Sequence, residues 1–198
     1  MTTTIALCSS KGGTAKTTST ILLGTALARA GHSVLVYDAD PQGSATAWAD
    51  LADETDTPLP FAVEASNARS FSKKRDADVI LIDCPPGQSQ TINAAIDASD
   101  VVIIPTTHSG VDADRMWDTI EVATSRGRNY RVLITVATPN ARTYKELEEV
   151  LEEEQVAFFD EPIRKREAIK HLWGLCPGKE LFGYDDVAAA LEEVIANV

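Results

Sequence analysis

Lys11, Lys16, Thr17, Asp40 and Asp83 are the side chains in this sequence whose types and spacing could do chemistry together. The first three share one stretch, Ser9-Ser10-Lys11-Gly12-Gly13-Thr14-Ala15-Lys16-Thr17-Thr18; further on, Asp83 closes one apolar run and Asp40 lies just beyond the end of another. The stretch follows the apolar Ile5-Ala6-Leu7-Cys8 and leads into a helix-like run over residues 21–30. An extended run, a glycine loop and a helix start form the layout that cradles phosphate. Loop N–H groups converge on the anion, and the first helical turn adds about half a positive charge. The Lys16 ammonium would reach the β and γ phosphates and the Thr17 hydroxyl would bind Mg²⁺. The stretch reads as a nucleotide site.

The loop departs from the ordinary P-loop pattern G-x-x-x-x-G-K-[ST], because Ser10 and Ala15 stand where its outer glycines would be. What stands instead is Lys-Gly-Gly-x-x-Lys-Thr-Thr, with Lys11 five residues before Lys16. This resembles the deviant Walker A box of the ParA/MinD group of ATPases. The resemblance implies that Lys11 to Thr18, that is Lys11, Gly12, Gly13, Thr14, Ala15, Lys16, Thr17 and Thr18, hold ATP. It also implies that Lys11 is the signature lysine, which reaches the nucleotide of a partner subunit. A flexible cation at a loop mouth needs an anion, and a facing subunit's phosphates supply one. The plainer alternative is a solvated lysine. Ala15 puts a methyl group where backbone usually approaches phosphate closely.

Those residues need strands to aim them. The apolar run over 33–37 reads as a buried strand that delivers Asp38-Ala39-Asp40-Pro41-Gln42-Gly43 at its C-terminal end, where open parallel sheets place ligands. The resemblance puts Asp40 on the Walker A′ aspartate, which orients the attacking water and the Mg²⁺ shell. Alone, Asp40-Pro41 would read as a turn start. Asp38 either joins the site or braces the loop. Val79-Ile80-Leu81-Ile82-Asp83 has the Walker B form, and Cys84-Pro85-Pro86-Gly87 matches the Asp-x-Pro-Pro switch of the same group. Asp83 would hold a water of the Mg²⁺ that Thr17 touches. The prolines stiffen the switch and Gly87 leaves a pivot.

The remaining elements alternate. Helices are expected over 16–30, 44–52, 66–75, 88–99, 114–126, 144–154, 164–172 and 184–198, and strands over 61–65, 101–105, 131–137 and 156–159, with a polar loop at 106–112. The fold class that follows is α/β: a single P-loop NTPase domain over 1–198 with a mostly parallel twisted sheet flanked by helices on both faces. At 198 residues the chain can bury one good core. The strand at 131–137 ends in Thr135-Val136-Ala137-Thr138 rather than a guanine-reading Asn-Lys-x-Asp, so adenine is the expected base. Its pocket is expected from 135–142 and from Pro162-Ile163-Arg164. His108 lies in a polar loop with nothing tying it to the phosphates, and reads as solvated.

Charge and cysteines bound the remaining possibilities. Thirty acidic against eighteen basic residues give a net charge of −12, which argues against a generally basic coat for nucleic acid. Ten of the basic residues lie between Arg115 and Lys170, including Arg164-Lys165-Arg166, so a local basic patch and an ordinary mixed-charge face both remain open. The triplet Lys73-Lys74-Arg75 reads as solvated surface. Cys8, Cys84 and Cys176 are odd in number and far apart in the chain, and read as reduced, buried small hydrophobes of a cytosolic protein. Apolar runs begin within five residues of the start, so no upstream DNA-reading domain is expected. The C-terminal run carries Asp185, Asp186, Glu192 and Glu193, whereas MinD-type members end in a basic helix that binds anionic lipid. No membrane partner is expected.

The resemblance therefore points to the small ParA-type plasmid partition ATPases. It implies an ATP-dependent homodimer that binds nonspecific DNA and is nucleoid-associated in that state. It also implies a centromere-binding partition protein that stimulates hydrolysis. A positioning ATPase for a protein cargo would use the same residues. A ligase of the dethiobiotin-synthetase type shares the fold, but Lys11 and the Asp38-Ala39-Asp40-Pro41-Gln42 box argue against it.

Overall fold

Along each inner strand, successive apolar side chains go to opposite faces of one sheet, and each face is closed by its own set of helices. A computed structural model describes residues 2–71, 76–87 and 90–195. Six strands, β1 (Thr3–Leu7), β2 (Val34–Asp38), β3 (Ala62–Ala65), β4 (Val79–Asp83), β5 (Val101–Thr106) and β6 (Asn129–Ile134), pair in the order β3-β2-β4-β1-β5-β6, all parallel. Ile5, Leu7, Val34, Val36, Val79, Leu81, Val101 and Ile103 pack on one face. Helices α1 (Lys16–Arg29), α2 (Ser44–Glu54) and a C-terminal helix cover them. Ala6, Leu35, Ile80, Ile82, Val102 and Ile104 face the other way, beneath α3 (Gln90–Ala98), α4 (Gly110–Ser125) and α5 (Arg142–Glu153). Both faces are dry, which is why these strands read as continuous apolar runs.

The short α6 (Glu167–Lys170) and α7 (Tyr184–Ile195) complete the chain. Tyr184, Val187, Ala188 and Leu191 of α7 are buried against the α1 side of the sheet, and the Tyr184 hydroxyl lies 2.7 Å from Ser19 Oγ. Its apolar stripe is thus used inside the fold. Among the described residues no helix is long and apolar enough to cross a membrane.

Several expected elements change. The described part of the helix expected at 66–75 is a turn, with Ser70 N–H donating to the Asn67 carbonyl; asparagine side-chain bonding to Arg69 N–H favours the turn over a helix. Residues 72–75, including the basic triplet, and residues 88–89 at the start of the helix expected over 88–99 lie outside the described residues. Helix α4 starts at Gly110 rather than 114, because the Ser109 side chain caps it by accepting from Asp112 N–H. The expected strand at 156–159 contributes one parallel bridge, Val132 with Phe158. The helix expected at 164–172 shrinks to Glu167–Lys170, since Arg164 is held in an extended bridge to Ala137. Finally, Cys8 and Cys84, distant in sequence, end paired strands and bring their sulfurs to 3.3 Å, whereas Cys176 is only partly buried.

Candidate nucleotide site

The C-terminal ends of β1, β2, β4, β5 and β6 all open on one edge of the sheet, and the chemistry-bearing loops meet there. The loop after β1 reaches α1 through Gly13 at φ +83° and Ala15 at φ +61°. Helix α1 has no side-chain cap and no acid in its first turn, in contrast to α4 with its Ser109 cap. The N–H groups of that first turn are left for an anion. Lys16 is nearly buried and its Nζ donates to the Lys11 carbonyl at 2.9 Å. Burial draws its ammonium below the ordinary lysine value, against the pull of Asp83, Cys84 and Asp40.

Thr17 and Asp83 are joined across 66 residues of sequence: Thr17 Oγ1 donates to Asp83 Oδ2 at 2.7 Å. Giving its proton to the carboxylate leaves the Thr17 oxygen lone pairs open to a metal. Burial pushes the Asp83 carboxyl up to about 7, with Asp38 and Asp40 adding repulsion, while the Thr17 bond and Lys16 pull the other way. Among the described residues, Asp83 Oδ1 is buried with no hydrogen-bond partner. A hard divalent cation, or water bound to one, suits both oxygen atoms. The residues present fit Mg²⁺.

The two aspartates after β2 have different work. Asp38 is buried and fully occupied: Oδ1 accepts from Asp40 N–H at 3.2 Å, and Oδ2 accepts from Thr46 N–H at 2.8 Å and from Thr46 Oγ1 at 2.9 Å. It braces the first turn of α2. Asp40 is half-buried, and among the described residues its side chain accepts from Gln42 N–H alone, at 2.9 Å. On the switch side, Gly87 at φ +95° donates its N–H to the Ser10 carbonyl at 2.8 Å, tying the loop after Asp83 to the phosphate loop.

Lys11 is ion-paired within its own chain to Asp112, in the first turn of α4. Burial raises the Asp112 carboxyl, but hydrogen bonds from Lys11, Thr107 and Ser109 outweigh it and hold the group below the usual carboxylate range. Asp112 is a residue that sequence reasoning missed; a carboxylate at the third position of a capped helix was the signal available. His108 is tied to the loop after β6 and to the first turn of α5 instead of facing solvent alone: Nε2 accepts from Thr138 N–H at 3.3 Å and Nδ1 lies 2.8 Å from Thr143 Oγ1.

Beside α1 lies a cavity of about 350 Å³. Ala15 and Thr18 form its P-loop side, Thr135 and Val136 come from the end of β6, and Ile163 and Arg164 come from the late loop. Thr135 Oγ1 donates to the Thr14 carbonyl at 3.1 Å, fixing this wall to the phosphate loop. Pro162 lines a neighbouring, more polar cavity with Glu161, Lys179 and Asp185. Trp48 and Trp173, which no motif had pointed to, line the first cavity.

This arrangement coincides with a family assignment. Residues 5–172 match the CobQ/CobB/MinD/ParA nucleotide binding domain. The chain belongs to that family. It is 30% identical over 181 residues to Protein ParA of Rhizobium radiobacter, covering 85% of this chain and 81% of that one. It is 33% identical over 143 residues to the maintenance of carboxysome distribution protein A of Gloeobacter kilaueensis, covering 69% of this chain and 64% of the relative. A plasmid partition protein of Borrelia burgdorferi, crystallised with AMPPNP, superposes with a TM-score of 0.80 at 21% identity over the full length of both chains.

Proposed function

We propose that this family member is a Mg²⁺-dependent ATPase of the ParA type that partitions DNA. The observation that carries the reading is the Thr17–Asp83 bond, which joins the phosphate loop to the metal-side carboxylate at one sheet edge. Gly12 to Thr18 cradle the phosphates, Lys16 neutralises the β and γ oxygens, and Thr17 with Asp83 and Asp40 hold the Mg²⁺ shell. Bound there, the metal ion offsets the charge that develops on phosphoryl transfer. Asp40, at the same sheet edge, orients the attacking water.

Lys11 rests on Asp112 in the single chain. A triphosphate carries more negative charge than one carboxylate, so a second subunit's ATP can draw Lys11 across, and a nucleotide lacking the γ phosphate does so less well. ATP thereby closes a homodimer, and hydrolysis releases it. Arg164, Lys165 and Arg166 are exposed and make no ion pair among the described residues, whereas Arg115, Arg126 and Arg142 are each neutralised by a carboxylate. That uncompensated run supports nonspecific DNA as partner, with a centromere-binding protein stimulating turnover and a nucleoid-associated, cytoplasmic ATP state. The likeness to a carboxysome-distribution protein favours one second reading, positioning of a protein cargo by the same cycle.

Solution mass with ATP and Mg²⁺, for wild type and Lys11→Ala, tests the clasp: the wild type doubles and the variant stays single. Equal masses throughout would refute it. DNA binding that needs ATP and weakens steeply with salt is expected alongside.

A further inference from the structure

We infer that Trp173 is the stacking platform for the nucleobase and that it sets a preference for purine over pyrimidine nucleotides. The inference rests on the nucleotide reading of the phosphate loop. The cavity begins at Ala15 and Thr18, so a nucleotide with its phosphates on that loop extends its base into the space lined by Trp173. The Trp173 indole is 49% exposed, in a loop rather than in the core.

That indole is fixed from behind. The Trp48 ring stands 5.2 Å from it at 58°, and Trp48 Nε1 donates to the Leu175 carbonyl at 2.9 Å. Between them Gly174 turns at φ +73°, with so little room that an added Cβ would come within 2.8 Å of Leu51 Cβ. The loop is therefore seated on α2 by ring contact, hydrogen bond and close backbone approach. A surface held rigid before the ligand arrives loses little entropy on binding.

The opposite wall is built for a ligand as well. Val136 is β-branched yet sits at φ +50°, a conformation that costs roughly 1–3 kcal/mol and concentrates at ligand clamps. Its neighbours hold it there, since Thr135 N–H donates to the Thr106 carbonyl and Ala137 N–H to the Ile163 carbonyl. Among the described residues the Val136 peptide groups make no hydrogen bond of their own, so they are free for the polar edge of a base. The face of that base meets the indole. Two fused rings cover more of an indole than one ring does, which is the origin of the purine preference.

Calorimetric titration with ATP, CTP and inorganic tripolyphosphate, each with Mg²⁺, on wild type, Trp173→Ala and Trp173→Phe tests this. Trp173→Ala is expected to weaken ATP roughly tenfold, the scale of one base stacked on an aromatic ring, and to bring ATP and CTP together. Tripolyphosphate affinity stays unchanged, and Trp173→Phe restores most of the ATP affinity. Unchanged ATP affinity in Trp173→Ala, or equal losses for ATP and tripolyphosphate, overturns the platform. Wild-type protein that holds tripolyphosphate as tightly as ATP overturns the platform and leaves the phosphate loop standing. Wild-type protein that binds none of the three removes the nucleotide reading, and the platform with it.

Discussion

On the proposed nucleotide reading, the phosphate end and the base end of this cleft are made of different kinds of residue. At the phosphate end, Lys16, Thr17 and Asp83 are few, charged or hydroxylated, and bonded to one another over 2.7–2.9 Å or to the loop itself. At the base end, Trp48, Trp173, Val136 and Ile163 make a largely apolar wall assembled from four distant segments. The difference follows from the ligand. A phosphate is recognised by charge and by N–H geometry that tolerate no substitutes, whereas a flat ring is held by any rigid apolar surface of the right spacing.

The sharpest division lies within the phosphate end, between Asp38 and Asp40. Asp40→Ala is expected to lower ATP turnover by roughly 10²–10⁴-fold, the range for losing a group that orients a proton transfer, with unfolding free energy nearly unchanged. Asp38→Ala does the reverse. It strips Thr46 and Asp40 N–H of a buried acceptor and costs about 2 kcal/mol in denaturant unfolding, while turnover per folded molecule falls far less. Steady-state phosphate release beside urea titration separates the two; matching profiles for both variants would erase the distinction.

A smaller effect compares the two ends directly. Lys16→Ala removes a nearly buried ammonium and is expected to weaken ATP, CTP and tripolyphosphate alike, by roughly 10–100-fold, the worth of a charge-assisted hydrogen bond. Trp173→Ala discriminates among the same three probes. A Lys16 variant that weakened ATP but spared tripolyphosphate would show that the phosphates do not sit on this loop.

The sequence made the two ends unequally legible for the same physical reason. Lys11 to Thr18 are contiguous, and Asp40 and Asp83 each follow an apolar strand, so their convergence needed only the rule that parallel strands present ligands at their C-terminal ends. The burial of β1, β2, β4 and β5 was likewise readable, as continuous apolar runs, because both faces are covered. Trp173 was not readable. It meets Trp48 across 125 residues, and the contact depends on how a loop lies on α2. Asp112 was hidden by a start placed four residues late for α4, which assigned it to a polar loop. The helix expected at 164–172 failed because Arg164 is drawn into a bridge with Ala137, a tertiary pairing that overrides local propensity.

The smallest expected effect concerns Ala15, the residue where this chain departs from the glycine of its resemblance. Ala15 sits at φ +61° and ψ +27°, immediately before α1. A left-handed conformation costs a residue with a Cβ roughly 1–2 kcal/mol. Glycine would remove that cost but would gain about 0.4–1 kcal/mol of disfavour from its greater freedom in the unfolded chain. The first term is the larger, so Ala15→Gly is expected to stabilise the protein by about 0.5–1 kcal/mol, a rise of about 1–4 °C in Tm for a domain of this size. Gly13→Ala, at φ +83° in the same loop, takes on the left-handed cost and should lower Tm. With ATP present, the gap between the two variants should widen if the loop backbone closes on phosphate. A gap that stays constant with and without ATP would mean that the Ala15 methyl stands clear of the anion and reports on the fold alone.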